Sequence, residues 1–193
     1  MAEQDPLRRF SELFEQAVAT GMRDPNALCL ATVGAEGRPS TRTVLLKGHD
    51  ERGFVFYTNL ESRKAREIAQ NARVSLTFHW RELEKQIHIR GSAAPVGEAE
   101  ADEYFATRPR PAQLGAWASR QSRPLSTRAK LVAEVAALEA RYLGRPVPRP
   151  PFWSGFRVRP DAIEFWSAGV FRLHDRVLYE REGDGWRVTR LYP

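Results

Sequence analysis

The sequence predicts a mainly β, α+β protein: an antiparallel sheet or barrel with helices inserted between its segments, as one domain over residues 1–193. Three observations carry this. Short runs rich in β-branched and aromatic residues, bounded by turn signals, recur from residue 27 to the C-terminus. Helical periodicity is confined to a few stretches between them. No Gly-rich dinucleotide fingerprint or phosphate-loop motif follows a strand, which argues against a doubly wound parallel sheet and against nucleotide hydrolysis.

Residues 1–25 form an N-terminal helical segment. Asp5 and Pro6 make a start signal, and Leu7, Phe10, Phe14 and Ala17 recur at helical spacing. Runs 27–33 ("ALCLATV"), 39–47 ("PSTRTVLLK") and 53–59 ("GFVFYTN") read as antiparallel strands joined by "GAEG" and "GHDERG". "SRKAREIAQNA" reads as a helix capped by Ser62. Runs 73–80 and 85–97 return to strand character across the polar turn "RELE". Two helical pieces follow, around 98–108 and 126–143. Ser126 is the expected cap of the second, and Leu131, Val135, Leu138 and Tyr142 are its stripe. The proline-rich "GRPVPRPP" marks a loop. Residues 152–193 supply the closing strands: "FWSGFRVRP" with "AIEFW", then "FRLHDRVLYERE", then "WRVTRLYP", with "EGDG" as a hairpin turn.

Thirty Lys and Arg against 24 Asp and Glu give a net charge of +6. The charges are interleaved, so the pattern fits a solvated surface with a few anion sites better than a nucleic-acid binder. Cys29 is the only cysteine, in an apolar run, and is expected to be a buried, inert thiol in a reducing compartment. The charged N-terminus is not a signal peptide, and no run approaches the ~20 apolar residues of a membrane span. A cytoplasmic protein without nucleic-acid or membrane partners is expected. His49, His79, His88 and His174 lack metal-ligand spacing, so no metal site is expected.

Anion chemistry has better support. Arg42 and Lys47 bracket an apolar strand, Tyr57 and Thr58 end the next, and a helix opens at Ser62, Arg63 and Lys64. Helix-start N–H groups with adjacent cations suit a phosphate, although basic residues there oppose the helix dipole. Tyr104 and Arg108 lie four apart and offer a second hydroxyl–guanidinium pair. Gln121, Ser122 and Trp166 add neutral polar and aromatic groups. In "FRLHDR", extended alternation puts Arg172, His174 and Arg176 on one face, a costly surface without an anion opposite it.

Seven segments together resemble the pyridoxamine 5′-phosphate oxidase family: "RTVLLK", "FYTNLESRKA", "RVSLTF", "YFATRPR", "GAWASRQS", "FWSGFRV" and "EFWSAGVFRLHDR", in the family's order. The resemblance implies an FMN-binding split β-barrel with flanking helices, assembled as a homodimer with FMN in clefts between subunits. It implies that Arg42, Thr43, Val44, Leu45, Leu46, Lys47, Tyr57, Thr58, Arg63, Lys64 and Gln86 bind FMN from one subunit, and Gln121, Ser122, Trp166 and Arg176 from the other. Lys47, Tyr104 and Arg108 would hold the phosphate of a phosphorylated pyridine substrate, with Arg172 and His174 as catalytic residues over its ring. The implied reaction oxidises pyridoxamine and pyridoxine 5′-phosphates to pyridoxal 5′-phosphate, with O2 as acceptor and H2O2 as product. Ala112 departs from the family's usual serine, Ser167 and Ala168 from its usual Gln-Gly, and the Arg/Tyr lid segment has no counterpart. A related flavoenzyme acting on a phenazine precursor, or a non-catalytic flavin or pyridoxal-phosphate binder, stays open at this point.

Overall fold

The computed structural model describes residues 5–193. Helix α1 (Pro6–Ala19) begins where the Asp5 carboxylate accepts the Leu7 N–H at 2.9 Å, with Pro6 in the first turn. Strands β1 (Ala27–Val33), β2 (Pro39–Leu45), β3 (Gly48–Asp50) and β4 (Gly53–Asn59) lead to helix α2 (Arg63–Gln70). Next come β5 (Arg73–Trp80) and β6 (Lys85–Pro95), then helices α3 (Glu98–Thr107), α4 (Arg110–Ala118) and α5 (Arg128–Arg141). Strands β7 (Trp153–Ser167), β8 (Asp175–Glu182) and β9 (Gly185–Leu191) complete the chain.

Every strand pairing is antiparallel, in the order β2-β1-β5-β6-β7-β4-β3, with β8 and β9 added at β7. Strand β7 organises the sheet. One edge pairs with β6, while the opposite edge is divided between β4, over residues 153–158, and β8, over residues 162–167. The division falls at Pro160, which has no N–H to donate, beside a bulge at Arg90/Gly91. A Cβ on Gly91 would lie 2.1 Å from the Arg159 carbonyl oxygen, so the close approach requires glycine. Curling brings the end of β2 to β4, and the Lys47 N–H donates to the Val55 carbonyl at 2.8 Å.

The curled sheet encloses an apolar core, and α1 plugs one end of it. Phe10 is fully buried, with its ring centroid 4.8 Å from Phe54 and 5.1 Å from both Phe78 and His49. Beneath the other helices a smaller cluster joins Phe105, Leu114, Val147 and Trp153.

Four expectations are corrected. Helix α4 was not anticipated; Pro109 and Pro111 stand before and within its first turn, where no N–H is needed. Thr127, not Ser126, caps α5, accepting the Lys130 N–H at 3.2 Å. Cys29 is exposed, because alternation along β1 turns Leu28 and Leu30 inward and Cys29 out. "FRLHDR" is not an extended run. Residues Val170–Arg172 form a tight turn, with Phe171 at φ 55° and Arg172 at φ 63°, and β8 begins only at Asp175. The turn closes over Gly169, where a Cβ would lie 1.9 Å from the Leu173 carbonyl oxygen.

Phe10→Ala should therefore remove the plug. The expected loss is about 3–5 kcal/mol of stability, read by urea or thermal unfolding.

Candidate active site

Strand β2, the end of β4, the start of α2 and the α3–α4 region enclose a cleft of about 820 Å³. Its described lining holds five cations, Arg42, Lys47, Arg63, Lys64 and Arg108, and no carboxylate. Such a wall is costly unless an anion faces it.

Each side chain is delivered by a local feature. Ser62 caps α2, accepting the Ala65 N–H, and so opens the helix at the basic pair. Lys64 is 8 % exposed, and its Nζ donates only to neutral oxygens: Thr58 Oγ1 at 3.0 Å, Gln121 Oε1 at 2.9 Å and Ser62 Oγ at 3.3 Å. Burial, with Arg42 nearby, lowers its pKa to about 8. The Arg63 N–H donates to Ser122 Oγ at 3.1 Å. Asn59 ties down the loop carrying these partners by donating to the Ser119 carbonyl at 3.1 Å.

The other end of the cleft is aromatic. The Tyr57 and Tyr104 rings stack at 4.0 Å, and Tyr57 stacks on Trp153 at 5.3 Å. Gly155 lies opposite Tyr57 in the β4–β7 pairing, where a Cβ would come within 2.8 Å of the Tyr57 ring. Burial pushes the Tyr57 phenol up to about 12, so it remains a neutral donor. Helix α3 stops at Thr107 because Pro109 disfavours helical backbone at Arg108. Tyr104 and Arg108 nevertheless line the same cleft. The Arg108 guanidinium stacks 4.7 Å from the Trp153 ring, and its Nη1 is buried without a hydrogen-bond partner. Desolvation lowers its pKa. An orphaned, buried guanidinium N–H beside a hydroxyl is suited to an anionic oxygen.

A second cleft, of about 570 Å³, lies on the β5–β6–β7–β8 surface and is lined by Gln86, Glu164, Trp166 and Arg176 among others. Arg176 Nε donates to Glu164 at 2.7 Å, which holds the guanidinium charged and oriented. The His174 ring packs on Trp166 at 4.6 Å, and its Nδ1 accepts the Gly169 N–H at 3.2 Å, leaving Nε2 to carry the ring proton. Beside it the turn exposes Val170, Phe171 and Leu173, at 79 %, 92 % and 71 %.

The expected site residues thus fall into two groups. Arg42, Thr43, Val44, Leu45, Lys47, Tyr57, Thr58, Arg63, Lys64, Tyr104, Arg108, Gln121 and Ser122 share the first cleft, and Gln86, Trp166 and Arg176 share the second. Within one chain, two sets of neighbours group differently from what the resemblance implies. Gln121 and Ser122 sit with Lys64 and Arg63 of their own chain, and Gln86 sits with Trp166 and Arg176, opposite Trp166 in the β6–β7 register. Leu46 turns into the core. Arg172, in the exposed turn, does not share an extended face with His174 and Arg176.

Sequence reasoning missed Glu67, which is buried against the cleft wall. Its Oε1 accepts from Arg63 Nε at 2.7 Å, and its Oε2 accepts from Ser40 Oγ at 2.6 Å, Arg42 Nη2 at 3.2 Å and the Thr32 hydroxyl. Burial alone would raise its pKa, but the hydrogen bonds from Ser40, Thr32 and Arg63, with the Arg63 charge, hold it at about 2. The four-residue spacing from Arg63 was readable; the Thr32–Ser40 cross-strand pair was not.

Comparison with known proteins agrees with this geometry. Residues 14–142 match the family model described as pyridoxamine 5′-phosphate oxidase, and residues 153–193 match that of the pyridoxine 5′-phosphate oxidase C-terminal dimerisation region. A pyridoxine/pyridoxamine 5′-phosphate oxidase from Rubrobacter xylanophilus is 60 % identical over 192 residues, covering 100 % of this chain and 88 % of that one. One from Myxococcus xanthus strain DK1622 is 56 % identical over 193 residues, covering 100 % and 94 %. The crystal structure of PhzG from Burkholderia lata, in complex with tetrahydrophenazine-1-carboxylic acid, superposes with a TM-score of 0.95 at 38 % identity, covering 100 % and 94 %. An FMN-binding protein from Nostoc punctiforme shares the split-barrel fold, with a TM-score of 0.79 at 17 % identity over 99 % and 100 %. By both family matches and by these relatives, the chain belongs to the pyridoxamine 5′-phosphate oxidase family.

Proposed function

We propose that the protein oxidises pyridoxamine and pyridoxine 5′-phosphates to pyridoxal 5′-phosphate, as a homodimer in which the first cleft of one subunit faces the second cleft of its partner. The single observation carrying this is the pair of cations in one cleft that lack an anionic partner: the buried Lys64 ammonium among neutral oxygens, and the half-buried Arg108 guanidinium with its orphaned Nη1. Cofactor and substrate each bear a phosphate, and the cleft offers each a separate cationic pocket.

The residues fit FMN. Lys64, Arg63, Gln121, Ser122 and Thr58 would hold its phosphate at the α2 start, with the β2 run Arg42–Lys47 alongside. When bound, FMN supplies the two-electron acceptor that O2 reoxidises, giving H2O2. Lys47, Tyr104 and Arg108 would fix the substrate phosphate and so the reacting carbon. Arg172 and His174 of the partner subunit, carried on the exposed turn, would orient the pyridine ring, with His174 Nε2–H as donor. Pyridoxine phosphate then yields the aldehyde directly, while pyridoxamine phosphate yields an imine that water hydrolyses to the aldehyde and ammonia. The apolar knob of Val170, Phe171 and Leu173 and the dimerisation region over 153–193 both support a composite site.

A second reading is favoured by two observations. Ala112 lines the cleft where the resemblance leads one to expect a serine, and PhzG superposes closely. That reading is a related flavoenzyme acting on a phenazine precursor. Lys47, Tyr104 and Arg108 favour the phosphorylated pyridine. An aerobic assay of FMN-loaded protein on both phosphates, following aldehyde and peroxide together, is the test; turnover of only an unphosphorylated tricyclic acid would overturn the first reading.

Three outcomes are expected. FMN affinity should fall as pH rises through about 8, because the Lys64 ammonium is then lost; Lys64→Arg should remove that fall and Lys64→Ala should weaken binding throughout, read by flavin fluorescence titration. Arg108→Ala should raise KM for the phosphorylated substrate at least about tenfold, or ~1.4 kcal/mol, with FMN retained, and Ala112→Ser should lower it. His174→Ala and Arg172→Ala should remain yellow yet lose at least about tenfold in kcat/KM, read by anaerobic flavin reduction in stopped flow.

A further inference from the structure

Glu67 has no part in the chemistry proposed above, yet it organises one wall of the first cleft. The carboxylate is 10 % exposed and joins helix α2 to strands β1 and β2. Thr32 and Ser40, cross-strand partners, each donate a hydroxyl hydrogen to its Oε2. Those same hydroxyl oxygens accept from the two Nη atoms of Arg42, at 2.6 Å each. From the helix side, Arg63 Nε closes the network on Oε1 at 2.7 Å. One buried carboxylate therefore sets the direction of two guanidiniums in the cleft lining, while the adjacent Lys64 ammonium meets only neutral oxygens.

We infer that Glu67 is a positioning residue for the phosphate of the flavin: it aims Arg63 and Arg42 so that the anion at Lys64 meets preset donors. This rests on the proposal that the anion at the α2 start is the FMN phosphate. The competing role is simple charge compensation, and the two predict opposite signs. A carboxylate that only offsets positive charge repels a phosphate, so its neutralisation tightens FMN. A carboxylate that positions the guanidiniums loses that alignment when neutralised, so FMN weakens.

The test titrates Glu67→Gln with FMN and with riboflavin, which lacks the phosphate, following quenching of flavin fluorescence. FMN affinity should fall at least about tenfold while riboflavin affinity stays within about twofold, so the preference for FMN collapses. Wild-type or tighter FMN binding by Glu67→Gln overturns the inference. Lys64→Ala, in the presence of Glu67, reports separately on the underlying proposal: an unchanged FMN-over-riboflavin preference there means the phosphate lies elsewhere, and the inference falls with it. If Glu67→Gln does not fold, judged by near-UV circular dichroism of the flavin-free protein, Ser40→Ala takes its place. It keeps the carboxylate and removes one donor to Oε2 and one acceptor for Arg42. A loss of about threefold or more in FMN affinity, with riboflavin unaffected, is expected, and an unchanged FMN preference overturns the inference.

Discussion

The two clefts depend on one long strand with a divided edge. Strand β7 keeps β6 on one side from Phe156 to Ser167, but exchanges β4 for β8 on the other at Pro160. Its first half supplies Trp153 to the first cleft and sets Gly155 against the Tyr57 ring, and its second half supplies Glu164 and Trp166 to the second. The two surfaces are therefore held in fixed relation by continuous backbone hydrogen bonding, not by a flexible joint. Rigid elements hold sites to tighter tolerances than loops do, and here both clefts draw part of their lining from one strand.

The electrostatic layout follows the same economy. Among the described residues, acidic partners are assigned selectively: Glu67 to Arg42 and Arg63, Glu164 to Arg176, and none to Lys64 or Arg108. Paired guanidiniums keep fixed directions, whereas the unpaired cations retain their capacity for a ligand. A cationic cleft compensated throughout would be more comfortable without a ligand and would bind anions less well. The lowered pKa of Lys64 measures that discomfort.

Much of this was legible in the sequence, because the relevant signals are local. Runs rich in β-branched and aromatic residues, bounded by turn signals, located β1, β4 and β5 to the residue, and Ser62 was identified as the α2 cap. The basic residues around that cap oppose the helix dipole, a mismatch that drew attention to this helix start as a candidate anion site. What stayed hidden was non-local or masked by turn chemistry. Helix α4 spans only nine residues and shows no long apolar stripe. The β-rich look of "FRLHDR" concealed a turn with two left-handed residues, since bulky side chains seldom adopt that conformation without surrounding support. Gln121 lies 57 residues from Lys64 in the chain, so no local pattern could pair them. Glu67 gave no local signal because three of its four partners, Thr32, Ser40 and Arg42, come from strands β1 and β2.

The exposed turn has a consequence for the unassembled chain. Val170, Phe171 and Leu173 present three large apolar side chains to water, the kind of surface that drives indiscriminate self-association. Arg172 interrupts them, with a charge that such contact would have to desolvate. That cost opposes self-association through the turn, in the manner of charged residues flanking unavoidable apolar segments. The guanidinium proposed to face substrate in the dimer would thus also disfavour misdirected contacts of the free subunit.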